Sequence, residues 1–580
     1  MIQKFLAQAK QGESVYLCDM RAAFAASDSA IDCVIKPPVG ETRRWRIPLP
    51  QPNGTEEETF VREYFYANIY NLISTLGGAE MTLYIPDNQP HITALCETLD
   101  DVFQTALPRA TRSGYGKCLN VTDRVNQAMG FTPFRFRIVH GQCPELPQTE
   151  TQTADAVSEF RKAVTNAADQ TLCGMDIGGT DIKIVGTVNG RIQAYKEYDW
   201  RPADMTHISQ LIDPILLLTE VMQAALTLPD TPHGNELRAL LLDKDATDAD
   251  MRRALDRAEA YDNWILFDGI GVNFPDVVIQ NKIVGGETLK TRGIRDVSPD
   301  YEAEFTEIGG LADMLLAHCK PAGKVHMAND GSLAAYAGAV ELAHSDRADE
   351  VAEGVFAHTL GTELGTGWID EAGQIPQIPL EVYNCIIDLG NHPAREYDVN
   401  DLRSVRNFNT GISGTLQKYA SQSGAYRLAL TYFTQEQVQE LYDKGFIEER
   451  NGGVYVTLEP KDMRKALLEH IMELADTGNP QAQRIFHQIG KYLAATWQET
   501  EFILNPAAKR RVLFGRFVKR QICFELMQAG AHERSRITLD PGDDSLAFTP
   551  LMHDLKANPA FTVAQFGQAV GAAYFVASIL

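Results

Sequence analysis

The segment that most constrains the fold of this chain covers residues 175–186 and reads Met-Asp-Ile-Gly-Gly-Thr-Asp-Ile-Lys-Ile-Val-Gly. An apolar strand leads into a Gly-Gly turn, and a second apolar strand leaves it. Because glycine tolerates positive φ, such a turn can be tight and its N–H groups can converge on an anion. We predict a hairpin whose turn, Gly178, Gly179 and Thr180, binds a phosphate, although a plain β-hairpin fits the same residues. Asp176 ends the first strand and is a candidate for holding Mg²⁺ through water.

A second segment of the same kind covers residues 355–370, with Gly361, Thr362 and Gly365 in its turn. Its glycines again allow a phosphate to approach the backbone closely. Either segment alone is more typical of a plain hairpin. Two of them in one chain favour a cleft in which one holds a β-phosphate and the other a γ-phosphate. The chain contains neither the GxxxxGK[ST] pattern of a Walker-type loop nor the GxGxxG pattern of dinucleotide binding.

Residues 325–339 read as a short apolar strand followed by an Ala-rich helix, with Asn329 and Asp330 at the junction. Asp330 suits two roles that the sequence alone does not separate. It can cap the helix, or it can act as a general base that accepts the proton of a hydroxyl placed in line with a γ-phosphate. Asn329 can fix a neighbouring sugar hydroxyl through its amide. A glycine-containing strand at 264–275 precedes this pair and also allows a ligand to approach its backbone.

Taken together and in this order, these segments resemble the ROK (repressor, open reading frame, kinase) family of sugar kinases and repressors. The resemblance covers about residues 172–580, with gaps at two apparent insertions, a helical and polar one near 205–260 and another near 432–465. The matching motifs are the phosphate loop at 176–180, the glycine strand at 269–275, the Asn329-Asp330 pair, the second phosphate loop at 360–365, the segments at 474–482 and 503–506, and the closing helix at 567–573. Their order and spacing are more specific than any one of them.

The resemblance implies an α/β fold of the ASKHA class (ribonuclease H-like, actin-like), a two-lobed core with a separate α/β N-terminal domain. We expect residues 1–150 to form that domain, 151–170 a linker, 171–325 the N-terminal lobe and 326–580 the C-terminal lobe. The resemblance also implies transfer of a phosphoryl group from ATP, with Mg²⁺, to a hydroxyl of a sugar or sugar-like substrate, with Asp330 as the general base. The residues carried over are Gly178, Gly179, Thr180, Lys183, Gly361, Thr362, Gly365 and Gly515 for phosphate or ATP, Asn329, Glu381, Asn384 and Gln417 for the substrate, and Asp176 for the metal.

The sequence departs from the family pattern at the sugar and zinc sites. Glu381 retains a sugar-binding Glu, whereas Asn384 stands where a His would both ligate zinc and contact sugar, and Gln417 replaces a second Glu. These exchanges keep hydrogen bonding but change charge and donor count. The zinc-binding cysteines of the family are missing from residues 408–417. Since a structural zinc site needs about four N or S ligands, we predict no zinc.

A further departure lies at the adenosine loop, where a Gly-Gly-Gly of the family reads Phe514-Gly515-Arg516. Either Phe514 stacks on the nucleotide and Arg516 reaches a phosphate, or the added bulk blocks the nucleotide. Two functions therefore stay open: an active kinase, and a catalytically inactive sensor or scaffold that binds sugar or nucleotide on the same fold. The phosphoryl donor is ATP or another donor such as polyphosphate. A repressor is disfavoured, because residues 1–150 are longer than a helix-turn-helix module, contain strands and are not notably basic.

Charge and cysteine content limit the classes of binding partner and the compartment that we expect. The net charge of −24 repels nucleic acids and anionic membranes. The nine cysteines form no CxxC pair, which suits the reduced thiols of a cytoplasm. No apolar run approaches the roughly 20 residues that a membrane span needs. We therefore expect a cytoplasmic protein that binds a small-molecule sugar and a nucleotide, with no nucleic-acid or membrane partner, and the family resemblance implies a homodimer.

Residues 1–150 contain no motif with chemical content. Short apolar runs predict strands at 15–18, 33–35, 81–85 and 134–139, and apolar residues three and four apart predict a helix at 58–76. A polar stretch at 147–155 is typical of a linker. The domain could cover an active site, mediate oligomerisation or bind a regulator, and the sequence does not choose among these roles.

Overall fold

The computed structural model describes residues 1–27, 29–37, 41–146, 155–261, 263–285, 291–361, 364–390, 399–458, 463–543 and 545–580. The chain divides into two compact units. Unit 1 consists of Met1–Thr151, Thr359–Thr366 and Ile378–Leu539, and unit 2 of Gln152–His358, Gly367–Gln377 and Asp540–Leu580. The first 151 residues therefore share a unit with a segment from the second half of the chain. No helix among the described residues is long and apolar enough to cross a membrane.

Residues 2–140 of unit 1 form a layer of helices and strands, which we call the N-terminal layer. Its elements are α1 (Ile2–Gln11), α2 (Leu17–Phe24), β1 (Ala30–Lys36), β2 (Arg43–Pro48), α3 (Thr55–Leu76), β3 (Glu80–Ile85), α4 (Pro90–Glu97), α5 (Leu99–Val102), α6 (Cys118–Ala128) and β4 (Arg135–His140). The strands form one sheet in the order β2-β1-β3-β4. Strand β1 runs antiparallel to β2 and β3, whereas β3 and β4 are parallel.

Most of the secondary structure predicted for this layer is confirmed, since β1, β3, β4 and α3 lie where the sequence pattern puts them. The strand predicted at 15–18 is wrong, because α2 begins at Leu17. Leu17, Met20 and Phe24 are buried at spacings of three and four, so a helix buries them on one face. Strand β2 was not predicted, because its arginines obscure the alternation of the buried Trp45 and Ile47.

Unit 2 is built on a mixed sheet with helices. Its elements are α7 (Ala156–Ala167), β5 (Thr171–Ile177), β6 (Asp181–Val188), β7 (Arg191–Asp199), α8 (Ser209–Thr227), α9 (Pro232–Leu242), α10 (Asp248–Ala258), β8 (Phe267–Phe274), β9 (Val278–Ile279), β10 (Lys282–Ile283), α11 (Arg292–Val297), α12 (Tyr301–Ile308), α13 (Leu311–Leu316), β11 (Cys319–Asn329) and α14 (Asp330–Ala343). The sheet order is β11-β8-β5-β6-β7. Strands β5, β8 and β11 are parallel, and β6 runs antiparallel to β5 and β7. The predicted α/β fold class is confirmed.

The region near 205–260 is helical, as predicted, but it is not polar throughout. Helix α8 buries Ile212, Ile215 and Leu218 in the core cluster that also contains the sheet residues Ile184 and Val272. An apolar face of this kind stabilises the sheet, so α8 is a layer of the core and only α9 and α10 carry the polar character.

The remaining elements follow in chain order. They are β12 (Val355–Leu360), β13 (Leu364–Ile369), α15 (Leu416–Tyr419), α16 (Gln422–Tyr432), α17 (Gln435–Asp443), β14 (Ile447–Arg450), β15 (Gly453–Val456), α18 (Arg464–Asp476), α19 (Pro480–Leu504), β16 (Arg510–Gly515), α20 (Gln521–His532), β17 (Thr538–Pro541), α21 (Pro550–Ala557) and α22 (Val563–Ala577). Strands β12, β13, β16 and β17 form a sheet in the order β13-β12-β16-β17. The segment near 432–465 contains the antiparallel pair of β14 and β15.

Helix α22 lies directly on the sheet of unit 2. Gly174 on β5 and Gly271 on β8 are neighbours in the sheet, and a Cβ atom at either position would overlap the carbonyl oxygen of Ala569 or Ala572. Only glycine therefore permits this approach of helix to sheet. The contact brings polar side chains of α22 next to the strand ends described below.

Candidate functional site

The first predicted phosphate hairpin is formed by β5 and β6, with residues 178–180 as its turn. The Gly178 N–H donates to the Asp181 carbonyl at 2.8 Å and closes the turn. Trp200 holds the turn from the side, because its backbone N–H donates to the Thr180 carbonyl at 3.1 Å and its Nε1 to the Gly178 carbonyl at 2.9 Å. Gly179 and Thr180 are exposed. The hairpin is confirmed, and its binding of phosphate stays a prediction.

A row of polar side chains crosses the sheet just below this turn. Asp176 on β5 is paired with Asn273 on β8 and with Lys183 on β6, and Lys183 is paired with Glu197 on β7. Residues directly opposite one another in adjacent strands share a face of the sheet. Asn273 Nδ2 donates to Asp176 Oδ1 at 2.7 Å. The row thus places a carboxylate, an amide and an ammonium side by side.

Lys183 is the positive member of this row. It also forms an ion pair with Asp181 at the start of β6. Burial lowers the pKa of Lys183, but the charges of Asp176 and Asp181 raise it further than burial lowers it, so the net shift is upward. An upward shift from an ordinary lysine value keeps the ammonium protonated at neutral pH. Lys183 is therefore a fixed positive charge beneath the turn.

The predicted base lies at the junction of β11 and α14. Asn329 Oδ1 accepts from the Gly331 N–H at 3.0 Å, and Asp330 Oδ1 accepts from the same group at 2.8 Å. Asn329 Nδ2 donates to the Asp276 carbonyl at 3.0 Å. Asn329 is thus the N-cap of α14, whereas Asp330, which the sequence offered as a cap, is the first residue of the helix. Because Asn329 bonds backbone groups through both ends of its amide, its predicted contact with a sugar competes with these bonds.

The carboxyl ends of β5, β8 and β11 meet at one edge of the sheet, because the three strands are parallel and adjacent. We call this region the sheet edge; it contains Asp176, Gly178, Gly179, Thr180, Lys183, Asn273, Asn329 and Asp330. Strand β11 is two places from β5, so the rows that end in Asp330 and Asp176 are about 10 Å apart at the usual strand spacing. Ligands of open α/β sheets bind outside the carboxyl ends of the strands. The predicted base and the first phosphate hairpin therefore share an edge suited to a ligand.

Two polar residues at this site were not predicted: Asn273, which belongs to the sheet edge, and Gln568, which contacts it from α22. Asn273 is fully buried, and its Nδ2 bridges Asp176 Oδ1 and Gln568 Oε1, the latter at 2.6 Å. Gln568 lies on α22, one turn after Gln565, which donates to Glu197 Oε2 at 2.8 Å. The available signal was an amide inside the otherwise apolar strand β8, whereas the contact from α22 depends on tertiary packing.

The donors at the sheet edge fit Mg²⁺. Asp176 supplies a carboxylate, and the buried Asn273 Oδ1 has no hydrogen-bond partner among the described residues. Oxygen donors of this kind suit a hard cation that keeps several waters. The carboxylates of Asp181, Glu197 and Asp199 also lie within 4.8 Å of one another. Two of its members already have protein partners, because Asp181 pairs with Lys183 and Glu197 accepts from Gln565.

The second predicted hairpin consists of β12 and β13, and Thr362 of its turn lies outside the described residues. The Gly365 N–H donates to Thr359 Oγ1 at 2.9 Å, and the Gly361 carbonyl accepts from the Gln422 N–H at 3.1 Å. Gly515 has φ 102°, and a Cβ there would overlap the Leu360 carbonyl. Gly361, Gly365 and Gly515 thus lie together at the end of β12.

The residues beside Gly515 have protein partners of their own. Phe514 is buried in the core, and Arg516 Nη1 donates to Glu469 Oε1 at 2.7 Å. A nucleotide that stacked on Phe514 would need this side chain to leave its packed position. A phosphate that bound Arg516 would compete with Glu469.

The predicted substrate residues Glu381, Asn384 and Gln417 are joined in one hydrogen-bonded network. Asn384 Nδ2 donates to Glu381 Oε2 at 2.7 Å. Asn407 Nδ2 donates to both Asn384 Oδ1 and Gln417 Oε1, each at 2.9 Å. Tyr383 adds a hydrogen bond from its hydroxyl to Glu381 Oε1 at 3.1 Å. We call Glu381, Asn384, Asn407 and Gln417 the amide network.

Asn407 is the member of the amide network that the sequence did not predict. It joins Asn384 to Gln417, and its Oδ1 accepts from the N–H groups of Asn409 and Thr410. The side chains of Asn384, Asn407 and Gln417 are no more than 6 % exposed. No sequence pattern identified Asn407, because its side-chain partners Asn384 and Gln417 lie 23 and 10 residues away along the chain.

No protein-family model and no curated protein matches the sequence. Similar solved structures include a ROK family glucokinase from Streptomyces griseus in complex with glucose and AMPPNP (16 % identity, TM-score 0.37, 70 % of this chain and 98 % of that chain). A putative N-acetylmannosamine kinase from Listeria monocytogenes is 15 % identical at TM-score 0.38, with the same coverage. A ROK family transcriptional regulator, homolog of the E. coli MLC protein, is 14 % identical at TM-score 0.37 over 70 % of this chain and 80 % of that chain.

These neighbours include kinases and a regulator, and at TM-scores this low the likeness carries no argument about the chemistry of this chain. Its function is therefore inferred from its own residues.

Proposed function

We propose that this protein is an ATP-dependent phosphotransferase that phosphorylates a hydroxyl of a sugar or sugar-like substrate, with Asp330 as the general base. The observation that supports this most is the common sheet edge of Asp176, the 178–180 turn and Asp330. Phosphoryl transfer requires little covalent chemistry from the protein; it requires an anion-binding turn, oxygen donors for a metal and a group that receives a proton. The sheet edge offers all three.

In this proposal each residue of the sheet edge has one task. The N–H groups of the 178–180 turn bind phosphate oxygens, and protonated Lys183 adds a fixed positive charge below them. Asp176 and Asn273 would hold Mg²⁺, which when bound neutralises charge on the phosphate oxygens. Asp330 accepts the proton of the attacking hydroxyl as the new O–P bond forms and the bond to ADP breaks. Gly361, Thr362, Gly365 and Gly515 are assigned to the nucleotide.

The substrate class is inferred from the amide network. Glu381 is only half-buried and accepts hydrogen bonds from Asn384 and Tyr383, so its carboxylate is oriented before any ligand arrives. An oriented carboxylate next to amide groups suits the recognition of neighbouring hydroxyls, which both donate and accept. This combination supports a sugar or a sugar-like polyol.

A second candidate function is a catalytically inactive sensor that binds sugar or nucleotide. It is favoured by the self-satisfied state of the amide network, because Asn384, Asn407 and Gln417 bond one another and are almost fully buried. The pairing of Arg516 with Glu469 favours it as well. A sensor needs binding without the proton transfer that Asp330 would perform.

The test is an assay of ADP release with Mg-ATP across hexoses and N-acetylhexosamines, with polyphosphate as a parallel donor. Sugar-dependent release that disappears in Asp330→Asn supports the kinase and identifies its substrate class. Heat stabilisation by sugar or nucleotide without turnover would transfer support to the sensor. Absence of both turnover and stabilisation would contradict both candidates.

A further inference from the structure

Helix α3 contacts the backbone of the segment that contains two of the predicted substrate residues. We call residues 380–390 the substrate segment. Asn71 on α3 bonds both backbone groups of Ile386: its Oδ1 accepts from the Ile386 N–H at 2.8 Å, and its Nδ2 donates to the Ile386 carbonyl at 2.9 Å. Asn71 is 1 % exposed. One side-chain amide thus satisfies both buried backbone groups of Ile386 in the way that a neighbouring strand would.

The end of the same helix holds the start of the substrate segment. The Leu380 N–H donates to the Thr75 carbonyl at 2.9 Å, and the Glu381 N–H donates to the Ser74 carbonyl at 3.2 Å. Carbonyls in the last turn of a helix lack intrahelical partners. The substrate segment therefore supplies the N–H groups that complete the end of α3.

Residues at the start of α2 and just before it hold the other end of the segment. The Leu17 N–H donates to the Ile387 carbonyl at 3.0 Å, and the Leu389 N–H donates to the Val15 carbonyl at 2.8 Å. Asp388 Oδ1 accepts from the Val15 N–H at 2.7 Å. The segment is thus bonded on both sides by residues from the first 76 positions of the chain.

The N-terminal layer is itself fixed to α19. Arg21 Nη2 donates to Glu499 Oε2 at 2.6 Å in a buried ion pair, and its guanidinium lies 3.7 Å from the centre of the Phe502 ring. Trp45 Nε1 donates to the Phe502 carbonyl at 3.1 Å. A layer anchored in this way can hold the substrate segment against a rigid support.

We propose that the N-terminal layer positions the substrate segment, and that Asn71 is the positioning residue on which this depends. The proposal rests on the proposed function in one respect: it takes Glu381 and Asn384 as substrate contacts. Asn71 does not touch the substrate. It fixes the peptide two residues after Asn384, and so it sets where the Asn384 and Glu381 side chains stand when a sugar binds.

Asn68 provides a matched control. It lies on the same helix one turn earlier and is equally buried, but its amide bonds Arg21 and the Tyr64 carbonyl and no residue of the substrate segment. Asn71→Ala and Asn68→Ala both remove a buried amide from α3. Only the first releases Ile386. Asn71→Ser, which keeps one hydroxyl, is the milder variant if Asn71→Ala does not fold.

Two measurements on the full chain test the proposal. Hydrogen exchange of peptides covering 380–390 should be faster by about tenfold or more in Asn71→Ala or Asn71→Ser than in wild type, and unchanged in Asn68→Ala, because exchange follows local opening. In steady-state assays KM for the best sugar should rise by about tenfold with kcat little changed, since the variant weakens binding without touching Asp330.

Equal exchange in the Asn71 and Asn68 variants overturns the positioning role. Faster exchange at 380–390 with an unchanged KM also overturns the proposal, because the released segment would then not bind the substrate. If wild type turns over no sugar, the proposed kinase fails separately, and the exchange comparison alone then supports or overturns the positioning of the segment.

Discussion

At the sheet edge of unit 2, charged side chains pair with one another and the turn above them is exposed. In the amide network of unit 1, three buried amide side chains bond one another and orient the half-buried carboxylate of Glu381. Asp176 and Lys183 illustrate the first arrangement, and Asn384 and Asn407 the second. Charges that stay partly solvated can meet a charged ligand without a large cost of burial. Buried amides that bond one another instead hold the side chains of the amide network in one geometry. The comparison teaches that the sheet edge suits chemistry and the amide network suits selection.

The largest expected effect comes from a substitution that removes the proposed base at the sheet edge and leaves the amide network intact. Asp330→Asn keeps an oxygen that can accept from the Gly331 N–H but cannot accept a proton at neutral pH. We expect kcat to fall about 10²–10⁴-fold with little change in sugar KM. Asp300→Asn is the control, because Asp300 likewise accepts from a backbone N–H at the start of a helix of unit 2. Similar losses in both variants would assign Asp330 only a structural role at the start of α14.

The next effect breaks the amide network and spares the sheet edge. Asn407→Ala removes the two hydrogen bonds that Asn407 Nδ2 donates to Asn384 and Gln417. It also leaves the Asn409 and Thr410 N–H groups without their acceptor. Each buried group left unsatisfied costs about 1–3 kcal/mol, so we expect a destabilisation of about 3 kcal/mol. Urea unfolding followed by tryptophan fluorescence measures this loss. A loss well below 1 kcal/mol, the lower bound of about 1–3 kcal/mol for one unsatisfied buried group, would contradict the structural role of these bonds.

A third change sharpens the assignment of a metal to the sheet edge. Asn273→Ala removes the amide that holds Asp176, and loss of such a supporting group commonly weakens metal binding about 10–100-fold. We expect the Mg²⁺ concentration that half-stabilises the protein against heat, with a non-hydrolysable nucleotide, to rise about tenfold. Gln565→Ala, which contacts Glu197 instead, should leave that concentration unchanged. Equal shifts in the two variants would contradict the role of Asn273.

A fourth change tests the buried carboxylate of Glu341, which lies outside the sheet edge. Burial raises the pKa of Glu341 to about 7, despite its hydrogen bonds from Phe548 and Thr549. A raised carboxyl pKa means that its contribution to stability is present below about pH 4.5 and is lost as pH rises through 7. The stability of Glu341→Gln relative to wild type should therefore increase by up to about 3 kcal/mol between pH 5 and 8. A flat difference across that range would refute the shift.

The smallest expected effect concerns the prediction that the protein binds no zinc. Because amides and the N-terminal layer bond the substrate segment, a zinc chelator should leave the Tm of the protein unchanged. Thermal unfolding after dialysis against the chelator, followed by added Zn²⁺, makes the comparison. A Tm that falls with chelator and recovers with zinc would overturn the prediction of no zinc.

Short motifs predicted the local structure at the sheet edge, a hairpin and a strand-to-helix junction, because these residues are adjacent in sequence to strand ends. The hairpin at 178–180 and the junction at Asp330 follow from apolar runs interrupted by glycine or acid. Asn407 and Gln568 could not be found this way, since their partners are distant in sequence and are chosen by packing. The strand predicted at 15–18 failed for a related reason, because an apolar run of four residues also fits one face of a helix.

The interleaving of the chain has a consequence for the order of folding. Unit 1 needs Arg21 to meet Glu499, and unit 2 needs β5 to receive α22. Both compact units therefore close only after distant parts of the chain are made, so much of their core stays exposed during synthesis. Contacts of such long range slow folding and leave apolar surface open to aggregation. The apolar faces of α2 and β5 are thus expected to stay uncovered until α19 and α22 have been synthesised.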